Sequence, residues 1–556
     1  MSEKDKLDQT TTTAAAAGPA ALSRKRSVMR RILSLLNGPL AAILPAAAVL
    51  VFLVCTLFAF EEQDLRDQAC GGDESCAFDE PSEFFKYGSL GGEATTGIPY
   101  KVFAILPDAF PGLMPGQGGY RAFGLPWEEG RILPVGFSLS TLGFERVTQT
   151  CALCHAASYR LTPDDKPRIA LAGPGHTTNL GELLDFLDRA ARHEDFTASH
   201  LLPFMEQRFD LGFVEAQLYR FLIIPALRTA LREQADSLAW RYHLADTPAG
   251  DQPETPGADA STDQPAPDHR NKRPLWGPGR DATVNLARFA LLGQPDDGAV
   301  DTTDFPAIWN LSPREGELLQ WAGETSDLMT FIRDSAFGLG ARPGPGFEQR
   351  MQKLRFYLIR VQPPPLPAEL RPDTPTAARG RAVFLTHCAD CHDPSGKRTG
   401  TVIEIDEIGT DPARFDTWTV TDDALANDYL ARAGLTRVPM AKQTGYVAPR
   451  LTGLWLRGPY LHNGSVPTVR DLLLPVDERP KVFMRGCDIV DADNLGFLSN
   501  PNDPTLMTHC PLARPIDTTQ RGNGNGGHTW GAIDHPGKPA LTDAQVNDLL
   551  AYLKTL

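Results

Sequence analysis

Cys151-Ala152-Leu153-Cys154-His155 and Cys388-Ala389-Asp390-Cys391-His392 are two copies of one pattern, C-x-x-C-H, in widely separated parts of the chain. On a helical turn, two sulfurs three residues apart lie on one face. They can form thioethers to both vinyl groups of a single porphyrin while the adjoining imidazole is directed at the iron. This is the pattern of c-type haem attachment. With 9 Cys and 12 His in 556 residues, random scatter would produce it roughly 0.003 times, so two copies are a strong signal. A redox C-x-x-C and half of a zinc site compete for the reading, but neither needs the following histidine. Two covalent c-type haems are therefore expected on Cys151, Cys154, Cys388 and Cys391, with His155 and His392 as proximal iron ligands.

The surrounding composition is 42% hydrophobic and 22% charged, which excludes a disordered tail, a disulfide-dense miniprotein and a multi-span transporter. With 54 Lys+Arg against 69 Asp+Glu the net charge is −15, a balance that repels a phosphate backbone and argues against nucleic-acid binding. From Ile32 to Phe60 there is no charged residue, and Gly38 to Phe60 is long enough for one bilayer crossing, which takes about 20 apolar residues. Arg24, Lys25, Arg26, Arg30 and Arg31 precede it, and Glu61, Glu62, Asp64 and Asp67 follow. The positive-inside rule then predicts a cytoplasmic tail over 1–37, a transmembrane anchor over 38–60 and a periplasmic remainder, a single-pass protein of the bacterial inner membrane. A cleaved signal peptide fits less well, because a long tail precedes the basic region and no clear small-x-small site follows.

Beyond the anchor the expected order is an N-terminal haem domain over 61–372 and a C-terminal cytochrome c-like haem domain over 373–556. A Pro- and Asp-rich stretch over 245–273, nearly free of large apolar residues, reads as a flexible insertion, and the prolines between Gln362 and Pro375 mark the boundary. Apolar spacing over Phe213 to Leu244 predicts a long amphipathic helix, interrupted near Pro225 and packed as core. Thr542 is placed to cap a last helix with Val546, Leu549, Leu550 and Leu553 on one face. Of the remaining cysteines, Cys55 lies in the apolar span, while sequence neighbours suggest disulfides between Cys70 and Cys76 and between Cys487 and Cys510.

The sixth iron ligand decides what each haem does, since a second strong ligand makes an electron carrier and an open position permits oxygen or peroxide chemistry. Near the second motif the candidates are His387, Met440, His462, His509, His528 and His535. Met440 has the spacing usual in small cytochromes, and His528 lies in a Gly-rich loop able to approach a porphyrin. The residues alone leave these two level.

The stretch from Tyr446 to Gly486, YVAPRLTGLWLRGPYLHNGSVPTVRDLLLPVDERPKVFMRG, resembles the di-haem cytochrome c peroxidase superfamily, specifically its rubber-oxygenase-like branch. LPVGFS (Leu133 to Ser138), LWGPGRDATVN (Leu275 to Asn285), DFPAIWNLSPREGELLQWAGE (Asp304 to Glu324) and GNGNGGH (Gly522 to His528) extend the resemblance to most of the chain after about residue 120. It implies a mainly α fold with two cytochrome c-like haem lobes and long loops, preceded here by the one N-terminal transmembrane helix. It also implies that His528 closes the second haem opposite His392. The N-terminal haem would be the reactive one, with Phe337 as the aromatic residue over it and Trp321 behind. His462 would orient structure or meet a haem propionate, and His176 could approach the first haem. Calcium between lobes is a further feature of related peroxidases.

Two departures stand out: the acidic insertion before Pro274 and the anchor, which makes polyisoprene a doubtful substrate. The resulting expectation is a peroxidase-like haem oxidoreductase that takes a small-molecule oxidant. Its electrons would come from a small redox protein, a cytochrome c or cupredoxin with a basic patch, or from a membrane carrier. A C=C-cleaving oxygenase and a purely electron-transferring cytochrome are the rival expectations.

Overall fold

Gly380 shows how tightly the chain is drawn together: a Cβ there would lie 1.8 Å from the carbonyl oxygen of Asp548. Only glycine allows the two helices that cross at this point to approach so closely. In the computed structural model, residues 80–242, 273–312 and 317–556 are described, and all fall within one compact unit, Arg66–Leu556.

The principal helices are α1 Pro81–Tyr87, α2 Tyr100–Ala109, α3 Leu180–Arg192, α4 Ala198–Arg208, α5 Phe213–Leu218, α6 Ile224–Ser237, α7 Leu328–Gly338, α8 Phe347–Leu358, α9 Thr374–His387, α10 Val420–Arg432 and α11 Asp543–Leu553. Strands are short and pair in small antiparallel sheets. The largest has three strands, Ile98–Pro99, Phe144–Gln149 and Phe137–Leu142 in that order, with Ile98 opposite Val147 and Phe137 opposite Gln149. Helix therefore dominates, and the sheets serve as local clasps between loops.

Local chemistry explains the ends that matter. Asp373 caps α9 by accepting from Thr376 N, and Pro375 occupies its first turn. The helix then delivers Cys388 at its C-cap. Thr542 and Gln545 form a reciprocal capping box on α11, and Val546, Leu549, Leu550 and Leu553 are all buried, as the spacing predicted. Phe384 of α9 and Tyr552 of α11 meet with ring centroids 5.3 Å apart.

Two large cores organise the molecule. One gathers α2, α3, α4 and α6 around residues such as Phe103, Phe123, Phe186 and Leu201, and Cys154 packs against it. The other contains Phe85, Trp309, Phe337, Phe384, Trp455 and Leu549, and both Cys151 and Cys388 pack against it. One continuous apolar mass thus reaches both C-x-x-C-H motifs.

Three expectations change. The N-terminal transmembrane helix and the single-pass inner-membrane location that rested on it are corrected. No helix among the described residues is long and apolar enough to cross a membrane, and α6 and α9, at 14 residues each, fall short of the about 20 that a crossing needs. Residues 38–60 lie outside the described residues. The periplasmic placement that followed from the span is left without support. The helix expected over Phe213 to Leu244 becomes α5, a π-turn over Tyr219–Ile223, and α6 with Pro225 in its first turn. Only one side packs: Tyr219, Ile224, Leu227 and Leu231 are buried, while Phe213 and Phe221 are 80% and 68% exposed. The insertion over 245–273, Cys55, and the Cys70 and Cys76 pair lie outside the described residues, apart from Arg273, whose guanidinium is buried against Asp296. Cys487 and Cys510 form a disulfide.

Candidate haem-attachment sites

At the second motif, α9 ends at Cys388 and a short helix, Ala389–His392, carries the rest. His392 Nδ1 lies 2.8 Å from the carbonyl oxygen of Pro449. A carbonyl can only accept, so Nδ1 carries the proton and Nε2 is left free to bind a metal. Facing it is His528, with ring centroids 6.1 Å apart and planes inclined by 38°. Two imidazole nitrogens about 2 Å from one metal, with each centroid about 1 Å behind its nitrogen, place the centroids about 6 Å apart. The pair therefore has the spacing of two axial ligands on one iron.

His528 is held there by its loop. Its φ is +47°, and its N–H donates to Ile408 O at 2.7 Å. Gly527 has φ +76°, and a Cβ on it would lie 2.4 Å from the backbone of Gly409 and Thr410, so the close approach requires glycine. Asp411 Oδ2 accepts from Gly522 N and Gly524 N at 3.1 and 2.9 Å. The buried Arg479 donates to Asn525 O and Gly527 O, and Asn463 Nδ2 donates to Gly524 O at 2.9 Å. Burial lowers the pKa of His392, and burial together with neighbouring His392 lowers that of His528 to about 4. Both are thus kept neutral, the form that binds metal. Met440, the alternative, has its backbone clamped by Asn427, and its side chain packs against the core that Cys388 also touches and against the cluster of Val284, Trp418 and Ala426.

The first motif follows the three-stranded sheet. Thr150 caps the 3-10 turn Cys151–Leu153 by accepting from Ala152 N, and its hydroxyl donates to Phe85 O at 3.1 Å. His155 Nδ1 lies 2.9 Å from Pro306 O, which repeats the arrangement of His392 and Pro449 in an unrelated stretch of chain. Burial lowers the pKa of His155 to about 4 and raises that of Cys151 to about 12. Here, however, no second histidine ring faces the first among the described residues. His176 is stacked on Phe497 at 3.7 Å, with Nδ1 3.3 Å from Pro174 O. It sits in its own pocket with Arg485 and Cys487.

Phe337 is buried at the end of α7, edge-on to Tyr429 at 6.1 Å and beneath the Arg342 guanidinium at 4.3 Å. It shares a core with Ala152 and Ala156, which lie within and just after the first motif. Trp321 occupies a more telling position. Its Nε1–H donates to Asp304 O at 3.3 Å, and its own carbonyl accepts from Val447 N at 2.9 Å. Asp304 precedes Pro306 by two residues and Val447 precedes Pro449 by two, so Trp321 joins the two segments that orient His155 and His392.

His462 adjoins the same crossing. Its carbonyl accepts from Asp304 N at 2.8 Å, and its ring stacks on Tyr446 at 4.4 Å. Both of its ring nitrogens are buried without hydrogen-bond partners, and the Tyr446 hydroxyl interacts with the Arg414 guanidinium. Arg414 is buried nearby with its Nε donating to Thr303 Oγ1 at 2.9 Å. A cation beside unpaired polar atoms is the donor set that porphyrin carboxylates need. Asp304 is itself ion-paired with buried Arg485. For calcium, a cluster of three metal-capable side chains occurs among the described residues at Cys487, Asp488 and Cys510, but its cysteines are joined in the disulfide.

Pro306 and Pro449 were missed by sequence reasoning. Their signal is a proline within an apolar stretch, DFPAIW and YVAPRL, and it is too common to read without the fold.

Comparison with known proteins agrees with this chemistry. Residues 445–484, which include Pro449 and His462, match the family described as RoxA-like, cytochrome c-like. The segment 445–484 is thus similar to RoxA-like cytochromes, and this likeness points to a haem-type cytochrome with covalently held haem. Two relatives come from Sinorhizobium fredii (strain NBRC 101917 / NGR234). The uncharacterized protein y4iM is 30% identical over 292 residues, 46% of this chain and 64% of that protein. The uncharacterized protein y4iJ is 30% identical over 336 residues, 45% of this chain and 54% of that protein. The chain thus spans between half and two thirds of the length of these relatives.

Proposed function

We propose that the chain is a di-haem c-type cytochrome with haem-dependent oxidoreductase activity, its two lobes meeting at Pro372 and Asp373. The carrying observation is the asymmetry between the motifs: the rings of His392 and His528 lie at a spacing that one metal could bridge, whereas among the described residues no second imidazole faces His155. A haem held by Cys388, Cys391 and His392 would supply one-electron chemistry, and one held by Cys151, Cys154 and His155 would supply activation of peroxide or dioxygen. The protein holds the attachment cysteines on the turns after Thr150 and at the end of α9. It orients each proximal imidazole through a proline carbonyl, and it keeps the imidazoles neutral by burial. Trp321, tied to both proline segments, is the electron bridge between the lobes. Arg414, Tyr446 and His462 would receive propionates at the crossing. Peroxide is the oxidant in this reading, and Phe337 is the aromatic residue over the reactive site.

A second reading, oxygenation of an apolar substrate at the first site, is favoured by the RoxA-like match of residues 445–484. Spectra of the holoprotein with and without peroxide, dioxygen and carbon monoxide separate the possibilities. One low-spin haem and one high-spin haem are expected, with His528→Ala converting the low-spin haem towards high spin. Turnover of peroxide with an electron donor supports the first reading, and dioxygen incorporation into an alkene supports the second. If neither haem binds carbon monoxide after reduction, both enzyme readings fail and a simple electron carrier remains.

A further inference from the structure

Glu324 follows Trp321 on the same turn. The turn is held at both ends: Val447 N donates to Trp321 O at 2.9 Å, and Ala441 N donates to Glu324 O at 3.4 Å. Glu324 lines a pocket together with Arg414, Lys442, Phe415 and Trp418. Glu324, Phe415 and Lys442 are half-buried, so the pocket meets solvent, while Arg414 and Trp418 are buried.

Both cations of this pocket are turned to partners other than Glu324. Lys442 Nζ donates to the carbonyl oxygens of Phe415 and Trp418. Arg414 Nε donates to Thr303 Oγ1 at 2.9 Å and lies 3.9 Å from Asp301, and its guanidinium meets the Tyr446 hydroxyl. Two acidic groups also face Glu324, and each is already held. Asp423 on α10 accepts from Trp418 Nε1 at 2.8 Å, and Asp334 on α7 pairs with Arg437 at 2.6 Å. Among the described residues, no hydrogen bond or ion pair reaches the Glu324 carboxylate itself. Burial raises its pKa and the charges of Asp423 and Asp334 add to the rise, while Arg414 and Lys442 oppose it. A solvated surface glutamate would explain the exposure. It does not explain a carboxylate left without a partner between two cations, on the turn that joins the segments orienting His155 and His392.

We propose that Glu324 is the proton-accepting group of the crossing between the two motifs. When a haem iron at the crossing is reduced, Glu324 takes one proton from solvent through the pocket, and it returns that proton when the electron moves on. The electron comes from a one-electron reductant and turns ferric iron ferrous. The proton comes from water at the pocket mouth and forms the O–H bond of the neutral acid, which reoxidation breaks again. Reduction removes one positive charge from a poorly solvated region and so favours the protonated form of a nearby carboxyl group. Moving one proton with one electron leaves the local charge unchanged. The inference rests on the haem reading above.

The test compares the dithionite-reduced and oxidised holoprotein by difference infrared spectroscopy, together with the ferric-to-ferrous equilibrium measured across pH. Reduction should raise the carbonyl band of a protonated carboxyl group. That band should shift when the glutamates carry heavy carbon, which leaves aspartates and haem carboxylates unlabelled, and it should vanish in Glu324→Gln. Where Glu324 titrates, the equilibrium at fixed potential should change by up to about tenfold per pH unit. Asp281, raised by burial to about 7, titrates in wild type and variant alike, so the readout is the difference between them: Glu324→Gln should flatten the dependence with both Soret bands unchanged. A band that ignores the glutamate label, or equal pH dependence in wild type and Glu324→Gln, would overturn the proposal. The label needs no substitution and decides alone if the variant folds poorly. Failure of the haem reading would show separately, as purified protein without a Soret band, and would overturn this inference with it.

Discussion

Adding one methyl group at Gly380 should loosen the C-terminal lobe. A Cβ there would lie 1.8 Å from Asp548 O and 2.8 Å from Tyr552 Cβ, so α9 and α11 must separate by more than about 1 Å before overlap is relieved. Overpacking of this kind costs about 1–3 kcal/mol, and separation also weakens contacts of Phe384 with Tyr552. Against this, Ala favours a helix over Gly by up to ~1 kcal/mol, leaving a net loss of about 1 kcal/mol. For a cooperative unit of 150–250 residues that is a fall in Tm of about 2–4 °C. Because α9 ends on Cys388, the haem of this lobe should report the same transition. Denaturant melts of the holoprotein, followed by far-UV circular dichroism and by the Soret band, provide the measurement. The internal control is Gly338→Ala at the end of α7, where a Cβ meets nothing within 4 Å and a gain of up to ~1 kcal/mol is expected. The reasoning is refuted if Gly380→Ala stays within ~0.5 kcal/mol of wild type, since the helices would then not depend on that contact.

Trp321→Phe should slow electron passage between the two haems, measured by flash reduction, with both haem spectra unchanged; an unchanged transfer rate would remove Trp321 as the bridge. Arg485→Met leaves the buried Asp304 carboxylate unpaired and should cost about 3–5 kcal/mol in urea melts, with part recovered by adding Asp304→Asn; no recovery would show that the pair is not what was lost. His176 has a folded pKa lowered by burial to about 3, from 6.5. The unfolded chain therefore takes the proton first. Stability contributed by the neutral ring is complete above pH 6.5 and falls by about 1.4 kcal/mol per unit as pH drops towards 3. Asp281, raised by burial to about 7, works in the opposite direction between pH 3.8 and 7. The readout is accordingly the difference between wild type and His176→Phe, whose stability should change less steeply with acid; parallel curves would refute the assignment.

The line between sequence and fold runs along the distinction between local and distant spacing. C-x-x-C-H was legible because thioether attachment and proximal ligation are satisfied within five consecutive residues. The same holds for the cap at Thr542 and for Cys487 with Cys510, where the next available cysteine is the partner. Reading failed where the environment matters more than the residue. The apolar run from Phe213 looked like core, yet its periodicity could not say that one side would be left exposed among the described residues. The span over 38–60 was argued from hydropathy and flanking charge, and the described helices supply no membrane-crossing element.

Met440 and His528 are level as candidates in the sequence, and only the fold shows that the His528 ring lies 6.1 Å from that of His392. His528 faces His392 because Asp411, Asn463 and Arg479, from three different segments, hold the glycine loop. The roles of Pro306, Pro449 and Trp321 were equally hidden, since a carbonyl oxygen or an indole N–H has no sequence signature. Covalent spacing names the cofactor. Which side chain lies opposite an iron depends on how loops pack in three dimensions, and packing is a property of the whole chain.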